Sequence, residues 1–589
     1  MVAIMKRNLL FNLKGPGVWL PAAIILFMTH SGLLIAHAGE QSATARLPPE
    51  ELLRLGERMY RDGILPSGEP MQAIVAGDVP VDGTAFTCIS CHLRSGLGSF
   101  EGSIYTPPTT GRKLFMSYNN IAEPVTPDDL LMVPRWIRPL IRRVPYTEKT
   151  LDDALRGGVD PTGRELKNVM PRYLLSDDDL AVLIHYLKNL SAELSPGVTD
   201  TTIHVATVIT EEVGLAERRV MMDALKAVVQ AYNTRPDVVK RYTEYAQKRR
   251  TGKGPGPVEG EKDRTPRNLS LDVWELKGAP GTWQSQLEQY YRTKPVLAML
   301  GGISTNDWKP IHTFCEKNRI PCFLPITDYP VISATDWYTL YLSKGLFQEG
   351  EAAARYLAGS SDVATDTTVV QIMRDNLAGR TLADAFQSTW ERIGRRPPVI
   401  VRLAEGERMD APFWQELMKN HKPGIILVWA GPDDVLQLGT LADAVDARPT
   451  VIVSYGMIKN KIYDLPEKVR PFTYITYPHD LRAEKRFASL NFLWLKGRWP
   501  PPDKHEVTAK IAIMNYVLTE LFMRFDRYYY RDYLMDLTGM MPDKDKTISL
   551  YPRISFGPNQ RYCSKGCYIV QVNAGPEPVL VPKSEWVIK

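Results

Sequence analysis

The sequence predicts a multidomain chain: an all-α module first, then a larger two-lobed α/β region. Three observations predict it. Apolar residues recur at helical spacing on both sides of a compact string, Cys88-Ile89-Ser90-Cys91-His92. A Ser-, Pro- and Gly-bearing stretch at 191–200 then marks a change of character and reads as a linker. Beyond it, short apolar runs alternate twice over with helical stripes. That β-α-β order argues a parallel sheet with helices on both faces.

The N-terminal segment reads as an export signal. Lys6, Arg7 and Lys14 precede an apolar run from Val18 to Ala36, and Ala36-His37-Ala38 offers small residues for cleavage after Ala38. Residues 1–38 are therefore expected to be removed, leaving the protein in the periplasm. The alternative is an uncleaved inner-membrane anchor. Pro21 and the Thr29-His30-Ser31 interruption argue against it. Membrane contact is expected only through this segment. Removing it lowers the formal charge from +5 to +2, because Lys6, Arg7 and Lys14 leave with no acid. So small a balance gives no support for a nucleic-acid partner. The remaining roughly 550 residues exceed one ordinary domain.

Cys88-x-x-Cys91-His92 is the attachment signal for a c-type haem. Each of two thiols at this spacing can add to a haem vinyl group. The histidine that follows lies under the iron and binds it through a ring nitrogen. One covalent haem c is expected, carried by Cys88 and Cys91 and ligated by His92. The appended histidine argues against zinc or thiol redox chemistry. The remaining four of six cysteines are Cys315, Cys322, Cys563 and Cys567. An even number in an exported chain suggests two disulfides, with Cys315–Cys322 and Cys563–Cys567 preferred among three pairings and buried thiols as the alternative. Neither pair has zinc spacing with a nearby histidine.

Between 47 and 190 the chain reads as short helices joined by long loops. Pro48 and Pro49 open a helix whose stripe is Leu52, Leu55, Gly56, Met59 and Tyr60. Ser176 and Asp179 cap a closing helix with Leu180, Leu183, Ile184, Leu187 and Leu190 on its apolar face. Gly56 permits a close helix crossing at which Tyr60 and Tyr186 can pack. His185 reads as a surface or packing histidine.

The segment 48–190 resembles the cytochrome c family, through Gly56-x-x-x-Tyr60, Cys88-x-x-Cys91-His92, Met170-Pro171 and the Leu-Ser-Asp-Asp-Asp-Leu opening of the last helix. The resemblance implies that Met170, in the loop before the last helix, is the second axial ligand. Met116 and Met132 lack that context. It also implies that the carbonyl of Pro107 or Pro108 fixes the His92 ring. Histidine and thioether fill both axial positions and raise the potential, so the implied function is electron transfer rather than oxygen chemistry.

The α/β region is expected over 201–589. Predicted strands are 202–209, 269–276, 295–300, 320–324, 368–373, 399–403, 425–429, 451–454, 553–556 and 568–572, with helices at 214–232, 283–292, 310–317 and 507–525. Lobe 1 is expected over about 201–330 plus C-terminal segments, and lobe 2 over about 331–455. Residues 248–266, rich in Lys, Arg, Gly and Pro, read as a mobile surface insertion. This region resembles the type I periplasmic binding proteins, the leucine/isoleucine/valine-binding group in particular. The resemblance is carried by Ser343-Lys344-Gly345-Leu346, Glu349 to Ala354, and Ile554-Ser555-Phe556-Gly557-Pro558. It implies a ligand such as an amino acid or organic acid, held between lobes by loops at strand ends. The residues so placed are Ser304, Thr305, Thr327, Asp328, Arg374, Asp375, Ser454 and Tyr455.

No nucleophile elbow, phosphate loop or dinucleotide fingerprint occurs, so an enzyme is not expected. The expected protein is an electron carrier that meets a redox partner, a dehydrogenase or another cytochrome, and carries a binding module. The alternatives are a substrate-binding receptor of an ABC-type transporter and an electron-accepting subunit of a periplasmic oxidoreductase.

Overall fold

The computed structural model describes residues 47–589 except 102–103, 116–117, 122–139, 235–266, 362, 447, 482–504, 526–527, 542–549, 558–559, 576 and 589. The signal at 1–38, the insertion at 248–266, Met116 and Met132 lie outside the described residues.

The first module is framed by α1 (Pro49–Asp62), α2 (Ile89–His92) and α3 (Asp177–Asn189). Both long helices form as their ends dictate. Pro49 occupies the first turn of α1 and Gly63, with φ 69°, ends it. Ser176 caps α3 by accepting from Asp179 N, and three aspartates fill its first turn. The two helices cross at Gly56, where an added Cβ would stand 2.4 Å from Tyr186 Cβ and 2.8 Å from Val182 O. Tyr60 and Tyr186 meet at the crossing with ring centroids 5.5 Å apart.

The module is not all-α as expected. β1 (Gln72–Val75) pairs antiparallel with β2 (Val79–Asp82) and with β3 (Arg172–Tyr173). Two further hairpins join Ser99–Glu101 to Ile104–Thr106 and Tyr118–Ile121 to Leu140–Arg143. The signal for the β1–β2 hairpin was present: Ala73 and Val75 on one side of Ala76-Gly77-Asp78, and Val79 and Val81 on the other, fall at alternate positions. Positive φ at Ala76 (56°) and Gly77 (99°) makes the reversal.

Lobe 1 holds β4 (Thr202–Thr210), α4 (Leu215–Asn233), β5 (Asn268–Leu276), α5 (Trp283–Thr293), β6 (Ala298–Leu300), α6 (Lys309–Lys317), β7 (Cys322–Phe323) and β8 (Thr339–Leu340). Its five strands run parallel in the order β8-β7-β6-β4-β5. Lobe 2 begins with α7 (Leu346–Gly359), β9 (Val369–Arg374), α8 (Leu377–Arg392), β10 (Val399–Leu403), α9 (Ala411–His421) and β11 (Ile425–Trp429). It continues with β12 (Thr450–Ser454), α10 (Tyr455–Ile458) and β13 (Thr473–Tyr477). The chain then adds α11 (His505–Arg524) and α12 (Arg531–Gly539), followed by β14 (Gly566–Val572), β15 (Leu580–Pro582) and β16 (Val587–Ile588). The second sheet runs β10-β9-β11-β12-β13-β14-β15. Its first five strands are parallel, β14 is antiparallel to β13, and β16 also pairs with β14.

These two parallel sheets agree with the two-lobed α/β expectation. The lobe limits differ. β8 extends lobe 1 to Leu340, and lobe 2 runs beyond 455 through β13. The C-terminal segments divide: α11 and α12 bury Met514, Leu518, Tyr533 and Leu534 against Met221, Leu225 and Val228 of lobe 1, while β14–β16 complete the sheet of lobe 2. Arg553–Phe556 is not a strand. It holds to the following segment through Ser555 N donating to Cys563 O.

The stretch 191–200 is not a loose linker. Ser195 Oγ accepts from Arg531 N, and Val198 bridges Ile203. Gly197, at φ 91°, lies so close to lobe 1 that a Cβ there would meet Leu297 N at 2.3 Å. Among the described residues no helix is long and apolar enough to cross a membrane.

Candidate functional site

The Cys-x-x-Cys-His string forms the one-turn helix α2, closed by His92 N donating to Cys88 O at 2.9 Å. That turn places Cys88 and Cys91 three residues apart on one face. His92 Nδ1 donates to Pro107 O at 2.8 Å, which leaves Nε2 as the lone-pair nitrogen. Burial holds the imidazole below its ordinary pKa, so the ring is neutral at neutral pH. Burial also pushes the Cys88 thiol up to about 11. Among the described residues no three His, Cys, Asp or Glu side chains cluster to hold a bare metal ion.

Leu93, next after His92, has φ 63° and ψ 169°. A non-glycine residue there is strained by about 1–3 kcal/mol and is retained only where its surroundings hold it. One hold was not anticipated from the sequence: Tyr60 OH donates to Leu93 O at 2.9 Å, tying α1 to the turn beneath the histidine.

Met170 is half-buried, its amide donating to Lys167 O at 3.0 Å. Arg172 donates to Met170 O at 2.5 Å and to Leu166 O at 2.9 Å, fixing the loop on which Met170 sits. Tyr173 connects that loop to the motif: its hydroxyl donates to Phe86 O at 3.0 Å and lies 4.0 Å from Cys88 Sγ. The structure thus brings Cys88 and the Met170 loop together through Tyr173. These features fit a haem held by Cys88, Cys91, His92 and Met170.

The strand-end loops of the α/β region behave differently. Ser304 Oγ, Thr305 N and Thr305 Oγ1 donate to Glu212 Oε1 at 3.1, 3.3 and 3.4 Å, and Thr210 Oγ1 donates to the same oxygen. Donors suited to a ligand carboxylate already hold one belonging to the chain. Asp328 meets Lys510 at 3.1 Å and Lys459 at 3.8 Å, and both lysines also pair with Glu506, at 2.8 and 3.1 Å. Lys459 belongs to lobe 2 and Lys510 to α11, so this cluster ties the lobes together. Burial drives His479, 3.8 Å from Glu506, down to about 3; it stays neutral among the rings of Tyr455, Tyr477 and Tyr551.

Thr327 lines a small polar recess of about 10 Å³, room for one water, with Ser343, Tyr341, Tyr551 and Lys510. Arg374 is committed elsewhere, to Asp434 at 2.6 Å and to the carbonyls of Glu407 and Ala404. Asp375 pairs with Arg380 at 2.8 Å. Tyr455 is only 7 % exposed and packs in the core of lobe 2, its ring centroid 4.9 Å from that of Tyr477, rather than standing over a ligand. Ser454 Oγ donates to Glu349 at 2.8 Å, and Thr476 Oγ1 and Gly456 N donate to the same carboxyl. Burial pushes Glu349 up to about 7.

The expected disulfides are absent; none of the six cysteines is bonded to another. Cys563 lies in the core of lobe 1, whereas Cys567, on β14, places its sulfur against Gln348 of α7 in lobe 2. Four residues of separation thus point the two thiols into different lobes. Cys315 and Cys322 share one core, where Cys315 Sγ rests 3.5 Å from the Met299 thioether.

No family model matches this chain, and no curated protein matches it. Among solved structures, a putative branched-chain amino acid ABC transporter protein from Rhodospirillum rubrum is similar at TM-score 0.44 and 16% identity, over 64% of this chain and 100% of its own. A branched-chain amino acid ABC transporter protein from Thermus thermophilus with bound valine gives 0.43 and 11%, over 66% and 97%. The leucine-binding protein LivK from Thermotoga maritima gives 0.41 and 12%, over 65% and 98%.

Proposed function

We propose that this chain is an exported, periplasmic c-type cytochrome, a one-haem electron carrier fused to a two-lobed α/β module. The observation that carries the reading is the bond from His92 Nδ1 to Pro107 O, 2.8 Å long, beside two thiols at attachment spacing. Bound haem supplies a one-electron couple. The chain's own residues do the rest. Cys88 and Cys91 anchor the group, and Pro107 and the turn at Leu93 orient the His92 ring. Arg172 and Tyr173 hold the loop that offers the Met170 thioether. The partner is a redox protein that exchanges single electrons.

The test is the purified protein, exported in a host that matures c-type cytochromes. A Soret band and one haem per chain, resistant to acid–acetone extraction, are expected. Protein without a Soret band ends the reading.

The two-lobed architecture supports a second reading for the α/β module, a substrate-binding receptor of an ABC-type transporter. Its ligand would be a small amino acid or organic acid. A thermal-shift panel of those compounds decides it, since ligand at about 100 times Kd adds about 2.7 kcal/mol of stability. A flat panel removes the receptor reading.

A further inference from the structure

The strained turn after His92 is held by more than its own module. Within the module, Gly98 N donates to His92 O at 3.1 Å, Gly96 N to Leu93 O at 3.2 Å, and Tyr60 OH to Leu93 O. The next two amides are taken from elsewhere. Ser95 N donates to Asp536 at 2.9 Å and Arg94 N to the same carboxyl at 3.3 Å. Asp536 sits on α12, in lobe 1, and is 8 % exposed. Its neighbour one turn earlier, Asp532, binds Arg61 at 2.6 Å and accepts from Tyr338 OH at 3.0 Å. Arg94 lies over the Trp337 ring at 4.1 Å, and Leu97 enters the core formed by Tyr533, Leu534 and Leu537. The segment directly after the haem motif is therefore built into lobe 1.

We propose that Asp536 is a positioning residue for haem ligation: by clamping the amides of Arg94 and Ser95 it holds the turn that aims His92, so that the α/β region completes the haem site. The inference rests on the haem reading above. The His92 ring is then fixed at two points, at Nδ1 by Pro107 and at its backbone by the turn. Without the clamp the turn relaxes toward an ordinary φ, and the imidazole plane rotates about its remaining bond to Pro107.

The test uses the full-length holoprotein at pH 8, where the Asp536 carboxyl, raised by burial to about 6, is ionised. Asp536→Ala is expected to keep covalent haem, since neither thiol is touched. It should shift and broaden the ferric EPR lines, which report the orientation of the axial ligands. It should also speed hydrogen exchange of the 94–95 amides by about tenfold, the loss of one hydrogen bond. Asp536→Asn retains one acceptor oxygen and is expected to fall between; it also serves if the alanine variant does not fold. Asp532→Asn loses charge on the same helix and reaches the turn only through the Arg94 side chain at 3.9 Å, not through the Arg94 and Ser95 amides, so it should leave the EPR lines in place. EPR lines and exchange rates in both Asp536 variants equal to wild type overturn the proposal. So does a lowered melting temperature with unchanged EPR. Wild-type protein that lacks haem overturns the underlying reading instead, and the two failures are told apart by the Soret band.

Discussion

The haem motif and the interlobe cluster are two polar sites built on opposite terms. At the motif, supporting groups grip the backbone and the far side of each functional residue: Pro107 takes one nitrogen of His92, and Arg172 takes the carbonyl of Met170. In the strand-end loops side chains grip one another: Glu212 fills the donors at Ser304 and Thr305 within lobe 1, and Lys510 and Lys459 fill Asp328. The difference teaches where to expect an occupant. On the proposed haem reading, a group entering at the motif would meet ligands the chain already holds in place. A ligand entering the cleft must displace intramolecular partners, and that competition lowers its affinity.

The comparison breaks most decisively at His92. His92→Ala should abolish native iron ligation while leaving the interlobe cluster intact, read by absorption of the reduced and oxidised protein. Met170→Ala should keep haem covalently attached, lower its midpoint potential, and remove the methionine–iron band at the red edge of the visible spectrum; an unchanged band assigns another ligand. Next in size is Lys510→Met, which leaves Glu506 and Asp328 with Lys459 as their one shared cation. Glu506 is largely buried but Asp328 is 41 % exposed, so the full cost of stranding a buried charge is discounted to about 2 kcal/mol, measured by urea unfolding. Gly56→Ala drives a methyl into Tyr186 and should cost about 1–3 kcal/mol.

The smallest effect is a slope. Glu349 titrates near 7 in the folded protein and at its ordinary 4.5 when unfolded. Between those values the folded state holds more protons, so its contribution to stability is present at low pH and lost as pH rises toward 7. Glu349→Gln should remove a decline of at most about 1.4 kcal/mol per pH unit, seen by comparing unfolding curves of the two proteins at pH 5, 6 and 7.

Much of the architecture was legible because period and punctuation agree. The parallel strands appear as Val- and Ile-rich runs, with 399–403 and 425–429 matching at both ends. The α1–α3 crossing was visible in Gly56, Tyr60 and Tyr186, because a glycine and two aromatics at helical spacing carry their own geometry. The hairpin at Ala76-Gly77 was present as valine alternation around a turn, but short helices were the stronger pattern. What escaped was everything set by distance in the chain. Glu212 lies 92 residues from Ser304 and Asp536 lies 441 residues from Ser95, and no local pattern announces either pair. Arg374 looked like a cleft residue because it ends a strand, yet Asp434, in the short helix Pro432–Leu436, decides its orientation. The Cys563–Cys567 pairing went wrong for a similar reason: spacing in sequence does not report which lobe each sulfur enters.

The stapled stretch at 195–198 has a consequence for how electrons would find their destination. A carrier on a free tether searches for its partner by swinging, and gains a high local concentration from its leash. Here Gly197 lies against Leu297 and Ser195 is pinned to Arg531, so there is no leash. A haem held as proposed would have to be approached where it stands. Encounter rates should then follow the tumbling and surface charge of the entire molecule.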